Sequence, residues 1–245
     1  MLEASDLIAY WSFDTIADGY AVDDQAGNVG VFLNGPQFTN AGTGHSGDAA
    51  DRALLLGNGQ HRMQVLDASF LNAAGSADAL SISYWQNLSQ IRNQFAFWAD
   101  SVTATRAFSL ASPWSDNAMH WDTGGGFVEG VERLTAFPAE TWLSKWVHVV
   151  VTKNGETKRI YVNGIEETNG INTAVLPTDF TDFIIGNNST SFTEALNGTI
   201  DDVAIYSREI TPAEVTSLLN GDSPASLVGD NDTDVDGLPD DWERF

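Results

Sequence analysis

Gly198-Thr199-Ile200-Asp201-Asp202-Val203-Ala204-Ile205-Tyr206-Ser207-Arg208-Glu209-Ile210-Thr211 stands near the end of the chain. Its core, Ile200 to Tyr206, is rich in the branched and aromatic residues that suit a pleated strand, and two acids sit inside it. A partner of the same character opens the chain: Leu7-Ile8-Ala9-Tyr10-Trp11-Ser12-Phe13-Asp14, again apolar with an acid beside it. Both ends of the sequence therefore read as strands, with an acid carried at each.

Between them the clearest local structure runs from Trp146 to Gly164. Two β runs flank Asn154-Gly155, and a second Asn-Gly follows at 163–164. Asn-Gly accepts the positive φ angles of a tight hairpin turn, so the segment predicts a three-stranded meander. Further strands are expected at Ala53–Gly57, Met63–Leu66, Leu80–Gln86, Phe95–Ala99, Phe108–Ala111, Met119–Asp122 and Phe183–Gly186. Many short strands separated by turn residues predict an antiparallel sandwich. One short helix is expected over 211–219, where Thr211 caps, Pro212 takes the first helical position and Glu214 completes a capping box.

Three of these segments, in this order, carry a family likeness. The closing phrase matches Gly-x-Ile-Asp-[Asp/Glu]-Val-x-Ile-Tyr-x-Arg-x-Leu-[Thr/Ser] nearly position by position, and the meander holds Trp-x-His-Val-x-Val-Thr…Ile-Tyr-Val-Asn-Gly. With the opening strand they make the chain resemble the laminin-G-like, concanavalin A-like jelly-roll domains. The resemblance implies an all-β fold of two antiparallel sheets with one short C-terminal helix. It leaves function open among lectins, adhesion modules and glycan-cleaving enzymes.

Charge narrows the partners. The 245 residues carry 34 acids against 11 bases, a net charge of −23. Such a field repels nucleic acid and anionic membrane and attracts divalent cations. No run of apolar residues is long enough to insert into a membrane. There is no cysteine. The four histidines, His45, His61, His120 and His148, show no metal-ligand spacing, which argues against zinc.

Residues 232–243 read Asp-Thr-Asp-Val-Asp-Gly-Leu-Pro-Asp-Asp-Trp-Glu and satisfy the calcium-loop pattern at every specified position. In that reading Asp232, Asp234 and Asp236 converge on one ion and Gly237 permits the turn. Leu238 offers its carbonyl, Asp240 a direct or water-bridged contact, and Glu243 a bidentate carboxylate. The flanks are not helical, so the loop looks more like the start of a thrombospondin type 3 or dockerin-like repeat than an EF-hand. The expected organisation is a jelly roll over 1–220, a linker over 221–231 and a truncated calcium repeat over 232–245. With Met1-Leu2-Glu3 reading as a start placed on a mature domain, the chain is expected to be one piece of a larger extracellular protein, bacterial by resemblance.

The family likeness implies a second calcium between the terminal strands. Its ligands would be Asp201 from the closing phrase and Asp14 from the first strand, with Asp202 as the adjacent alternative and carbonyls of the Gly47–Asp51 turn as additions. Two acids beside a packed core repel unless a cation or a base joins them.

Eight tryptophans are the remaining signal. Alternation sets Trp85 opposite Ile82 and Tyr84, and Trp98 opposite the phenylalanines of Phe95-Ala96-Phe97, so both are expected on an outer, concave sheet with Trp114 and Trp121 at its rim. Exposed aromatics stack on sugar rings, while Gln86, Asn87, Arg106, Asp116, Asn117 and Asp122 stand near to bond hydroxyls. No catalytic motif is present: Glu129-Gly130-Val131-Glu132 lacks the middle acid of the laminarinase signature. The leading expectation is a non-catalytic, calcium-stabilised, lectin-like module binding a polysaccharide or other glycan. The alternatives are a structural or cell-adhesion spacer with protein partners and, third, a polysaccharide-degrading enzyme with an unfamiliar acid pair.

Overall fold

The computed structural model describes residues 6–57, 59–138 and 143–227. Strands are numbered β1–β16 and helices α1–α2 along the chain. One sheet runs, in spatial order, β14 (Ile165–Ile171), β13 (Thr157–Val162), β12 (Trp146–Asn154), β7 (Ala79–Leu88), β16 (Gly198–Tyr206), β5 (Leu54–Leu56) and β4 (Gln37–Phe38). The first strand, β1 (Leu7–Trp11), shares the free edge of β16 with β5. The other sheet runs β11 (Arg133–Ala136), β10 (Met119–Thr123), β9 (Phe108–Ala111), β8 (Phe97–Ser101), β15 (Phe180–Ile185), β6 (Arg62–Val65), β3 (Val29–Leu33) and β2 (Tyr20–Val22). Neighbours in both sheets are antiparallel, which makes the two-sheet sandwich expected from the sequence.

The core follows from alternation. Ile82 and Tyr84 of β7 point inward, as do Val149 and Val151 of β12 and Phe97 and Phe183 of the facing sheet, all fully buried. The Tyr84 and Phe97 rings meet edge to face at 4.7 Å and join the two sheets at their centre. Trp11 stacks on Phe183 near the closed end, at 6.0 Å.

The terminal strands zip together: Tyr10 pairs with Ala204 and Trp11 with Val203. α2 (Pro212–Leu219) then returns across the outside of the β16 sheet, where Val215 and Leu218 bury against Leu7, Val150 and Tyr206. Its capping box forms as expected: the Glu214 N–H donates to Thr211 Oγ1, and the Thr211 N–H to Glu214 Oε2. Residues 221–227, read as linker, stay on the sandwich, with Pro224 buried and its carbonyl accepting from the Tyr206 hydroxyl. A second helix that the sequence did not announce, α1 (Asn72–Ala77), precedes β7. It has six residues with a glycine among them, and so shows no apolar period to read.

Candidate functional site

Two outward-facing regions carry polar chemistry, one on each sheet. The first is an acidic pocket on the outside of the terminal-strand sheet, of about 410 Å³. It exists because β16 is bulged. Asp201 pairs with Trp85 and Ala204 with Ser83, so one extra residue is inserted between them. Asp202 takes that position with φ +46°, a left-handed conformation that Asp adopts more readily than most residues. Strict alternation would send neighbouring acids to opposite faces; the bulge brings both out. Their Oδ2 atoms lie 3.4 Å (Asp201) and 3.1 Å (Asp202) from His45 Nδ1.

His45 is delivered by the loop before β5, and Asp51 shapes that loop. Asp51 Oδ2 accepts from the Ser46 N–H (2.7 Å), the Ser46 hydroxyl (2.5 Å) and the Gly47 N–H (3.2 Å). Gly44 makes the fold of this loop possible, since a Cβ there would come within 1.9 Å of Asp51 Oδ1. The His45 N–H donates to Asp201 Oδ2 at 2.8 Å, fastening the loop to the last strand. Asp14, just beyond β1, accepts the Arg52 N–H at 2.9 Å and fastens the loop's other end to the first strand. Trp85 forms part of the floor, its ring stacked on His45 at 4.4 Å with His148 on it at 5.0 Å. His148 Nε2 meets Ser83 Oγ at 2.9 Å, while its Nδ1 is buried with no partner.

Asp14, Asp48, Asp51, Asp202 and Asp222 line the pocket, which among the described residues no Lys or Arg lines, and Asp201 lies fully buried beside them. The crowding registers in their acidity. Burial, then the charge of Asp201, pushes Asp202 up to about 7. Burial raises Asp201 as well, with Asp51 adding to it, and burial also raises Asp14. Burial works against protonation of His45, but its hydrogen bond to Asp201 and the charges of Asp202 and Asp201 outweigh that and raise its pKa. A cluster of acids held together against their own repulsion, with oxygens turned into one cavity, fits a bound cation. The expected pair, Asp14 and Asp201, thus border one site, and Asp202 joins them. The Gly47–Asp51 turn contributes the Asp51 carboxylate. His45 is the unexpected member. Local spacing excluded it, because its neighbours in the cluster are Asp51 and Asp201, brought to it by the loop and the last strand. The loop ligands Asp232, Asp234, Asp236, Leu238, Asp240 and Glu243 lie outside the described residues.

The second region is the outer face of the other sheet. Register aligns Gln64, Ile184, Trp98, Ser109, Asp122 and Arg133 in one row across six strands. Asp122 is only 1% exposed and takes a bidentate bond from Arg133, Nε to Oδ1 at 2.6 Å and Nη2 to Oδ2 at 2.7 Å. Arg106 approaches the same carboxylate at 3.9 Å. Both guanidiniums sit over Phe127, at 4.9 and 5.8 Å from its centroid, and Phe127 is 62% exposed.

The tryptophans do not line one sheet. Trp85 belongs to β7 and Trp98 to β8, in opposite sheets, so their outward faces point away from each other. Alternation distinguishes core from outside but not which outside. Trp85 is covered by His45 and His148. Trp98 is 5% exposed, its indole N–H donating to Asp100 at 2.8 Å and its ring packed on Phe95. Trp121 is not at the rim: it lies wholly in the core beside Phe108, donating to the Thr152 carbonyl. Trp114 is half-buried against Phe95. Gln86 faces inward and accepts the Tyr84 hydroxyl. The exposed aromatic beside the Asp122 row is instead Phe127, for which the one sequence signal is its place directly after Gly124-Gly125-Gly126.

The fold is thus a two-sheet antiparallel sandwich with an acidic pocket on one outer face and a polar row on the other. Residues 67–216 match the family model described as the concanavalin A-like lectin/glucanases superfamily, and the chain belongs to that family. No curated protein matches the chain. Among solved structures it is similar to domain 4 of AbnA, a GH43 extracellular arabinanase from Geobacillus stearothermophilus, in complex with arabinotriose. That likeness has 20% identity and a TM-score of 0.65, over 89% of this chain and 100% of that one. It is also similar to a Trypanosoma rangeli sialidase, with 16% identity and a TM-score of 0.64, over 87% of this chain and 32% of the sialidase. A third likeness is to the binding domain of botulinum neurotoxin DC in complex with rat synaptotagmin II, at 15% identity and a TM-score of 0.62, over 88% of this chain and 51% of that one. At these identities the likenesses establish the fold. Among the described residues no helix is long and apolar enough to cross a membrane.

Proposed function

We propose that this chain is a non-catalytic glycan-binding module of a larger extracellular protein, its terminal strands tied by a calcium ion in the acidic pocket. The saccharide is held on the opposite face, at Phe127, Arg106 and Arg133, with Asp122 beneath them fixing the Arg133 guanidinium. The observation that carries this reading is the exposed Phe127 ring beside a buried carboxylate already clamped by guanidinium groups. An exposed ring offers a face to the C–H side of a sugar, and fixed planar donors and acceptors bond its hydroxyls with little ordering cost. The reading is non-catalytic because the sequence carries no laminarinase-type acid motif, and Arg133 takes up both oxygens of Asp122. Binding of arabinotriose by the similar arabinanase domain is in keeping with it.

The test is a glycan and polysaccharide array followed by calorimetry on any hit. Phe127→Ala and Arg106→Ala are expected to lose binding at unchanged melting temperature, while Trp85→Ala retains it. New reducing ends released from a bound polysaccharide would instead make the module an enzyme. A second reading, an adhesive spacer with protein partners, is favoured by the exposed apolar strip Tyr20, Val22, Val29, Val31 and Leu66 at the β2–β3 edge. A silent array together with saturable binding to a protein partner would decide for it.

A further inference from the structure

The pocket's donors are not all oxygens. His45, Asp51 and Asp201 each present one ligand atom, and the three lie within 4.8 Å of one another. Asp202 Oδ2 stands beside these three, 3.1 Å from His45 Nδ1. The groups behind them are already fixed. Asp51 is oriented by Ser46 and Gly47, the His45 ring is held flat on Trp85, and the His45 N–H holds Asp201. Such outer contacts set ligand direction before a metal arrives. The same cavity is lined by His148, whose buried Nδ1 has no partner, a second sign that the cavity is built around an occupant.

Donor type then decides the metal. The 3.4 Å between His45 Nδ1 and Asp201 Oδ2 fits two ligands at about 2.1 Å in a tetrahedral arrangement. It fits calcium–oxygen geometry equally well, so spacing alone does not discriminate. Imidazole nitrogen does: calcium takes oxygen ligands, whereas imidazole with carboxylates suits borderline cations. We propose that His45, Asp51 and Asp201, with Asp202 beside them, form a mixed nitrogen–oxygen site that takes a zinc-class divalent cation more tightly than calcium. The proposal rests on the reading that this pocket holds a divalent cation, and it assigns His45 as the residue that sets the preference.

The experiment uses the full chain, free of affinity tag and stripped with chelator, titrated separately with zinc chloride and calcium chloride. Calorimetry and thermal shift are read together, and nickel quenching of tryptophan fluorescence reports on the metal's proximity to Trp85. Zinc is expected to bind at least about tenfold more tightly than calcium, and nickel to quench. His45→Phe keeps a ring on Trp85 but removes the nitrogen. It is expected to erase both the zinc preference and the quenching while calcium stabilisation persists; His45→Gln serves if the phenylalanine variant does not fold. Asp201→Asn is expected to lose the zinc site. Zinc binding no tighter than calcium, or a preference that survives both His45 variants, overturns the proposal. Calcium stabilisation abolished by Asp201→Asn, with zinc inert, sinks the zinc assignment and leaves the calcium staple standing. No response to Asp201→Asn with either metal removes the cation reading itself.

Discussion

Asp202→Asn is expected to stabilise the cation-free protein, although it removes a charge beside the proposed metal site. Asp202 is held in an acid-crowded site with its side chain 25% exposed, and its pKa is displaced from 3.8 to about 7. For an acid whose folded pKa is raised, the folded state binds its proton more tightly than the unfolded state does. The resulting penalty is absent below the unfolded pKa, grows as pH rises, and is complete above the folded value. At about 1.4 kcal/mol per pKa unit the ceiling is roughly 4 kcal/mol at pH 8. Asparagine removes the charge, retains an oxygen for the Tyr10 hydroxyl, and tolerates the left-handed backbone of the bulge. With some of the ceiling lost to the missing His45 interaction, a gain of about 2–4 kcal/mol remains, or roughly 5–10 °C in melting temperature for a chain of this size. The assay is thermal unfolding of both proteins in chelator at pH 8 and pH 4. The advantage should be large at pH 8 and near zero at pH 4, and should shrink or reverse when a tightly bound divalent cation is restored. Any effect of the chelator on residues 232–243 is common to both proteins and cancels. A variant less stable than the parent in chelator at pH 8, or equally advantaged at both pH values, would refute the claim that the acids are held in mutual repulsion.

His148 works in the opposite sense. Burial, assisted by His45, drops it from 6.5 to about 3, so the fold loses stability as pH falls through that window while only the unfolded chain takes up the proton. His148→Gln, which keeps a polar partner for Ser83, should flatten the stability curve between pH 6.5 and 3, as followed by acid unfolding; an unchanged slope would mean the ring is not buried neutral. Gly198→Ala should cost about 3 kcal/mol by denaturant titration, because φ is +154° and the new Cβ would lie 2.2 Å from the Asn87 carbonyl oxygen. A loss under 1 kcal/mol would show that β16 can shift away from β7 there.

What the sequence revealed depended on how locally each feature is encoded. β16, β1 and the β12–β13 hairpin were legible because apolar runs and Asn-Gly turns lie within the segments themselves. β2, β3, β4 and β11 were not: Gln37–Phe38 is two residues long, and Val29 and Val31 expose apolar side chains where a half-buried strand should show polar ones. Six-residue α1 gave no period to read. At the acidic pocket, Asp14 and Asp201 could be proposed through the family likeness, since they fall within its terminal strands. His45 could not, because its role depends on Asp201, 156 positions away, and on a bulge that turns two successive acids to one side. The tryptophans failed for a geometric reason. Residue parity has two values, but an outward side chain of a sandwich has two sheets to stand on, and covering loops can bury it on either.

That covering explains why the two outer faces have different chemistry. On the terminal-strand sheet, β12 and β16 point Val150, Ala204 and Tyr206 outward, and α2 closes over them as a second small core with Tyr161 and Leu7. The loop carrying His45 and Asp51 covers the adjoining part, and the acidic pocket lies between the loop and the end of the helix. This sheet is therefore committed on both sides to holding the fold together, and a cation bound there, as proposed, would join β1, β16 and the loop before β5. On the facing sheet the aromatic cluster around Phe95 and Trp98 covers one part of the outer surface, but Asp122, Arg106 and Arg133 stay at its edge beneath the exposed Phe127. With eight arginines against 34 acids in the chain, setting two of them on one buried carboxylate uses scarce positive charge where nothing in the core requires it. A buried ion pair adds little net stability over an apolar replacement, so stability is a weak reason for the arrangement. Geometry is a stronger one: the guanidinium planes are fixed beside an exposed ring, on the face that the sandwich leaves free for a ligand.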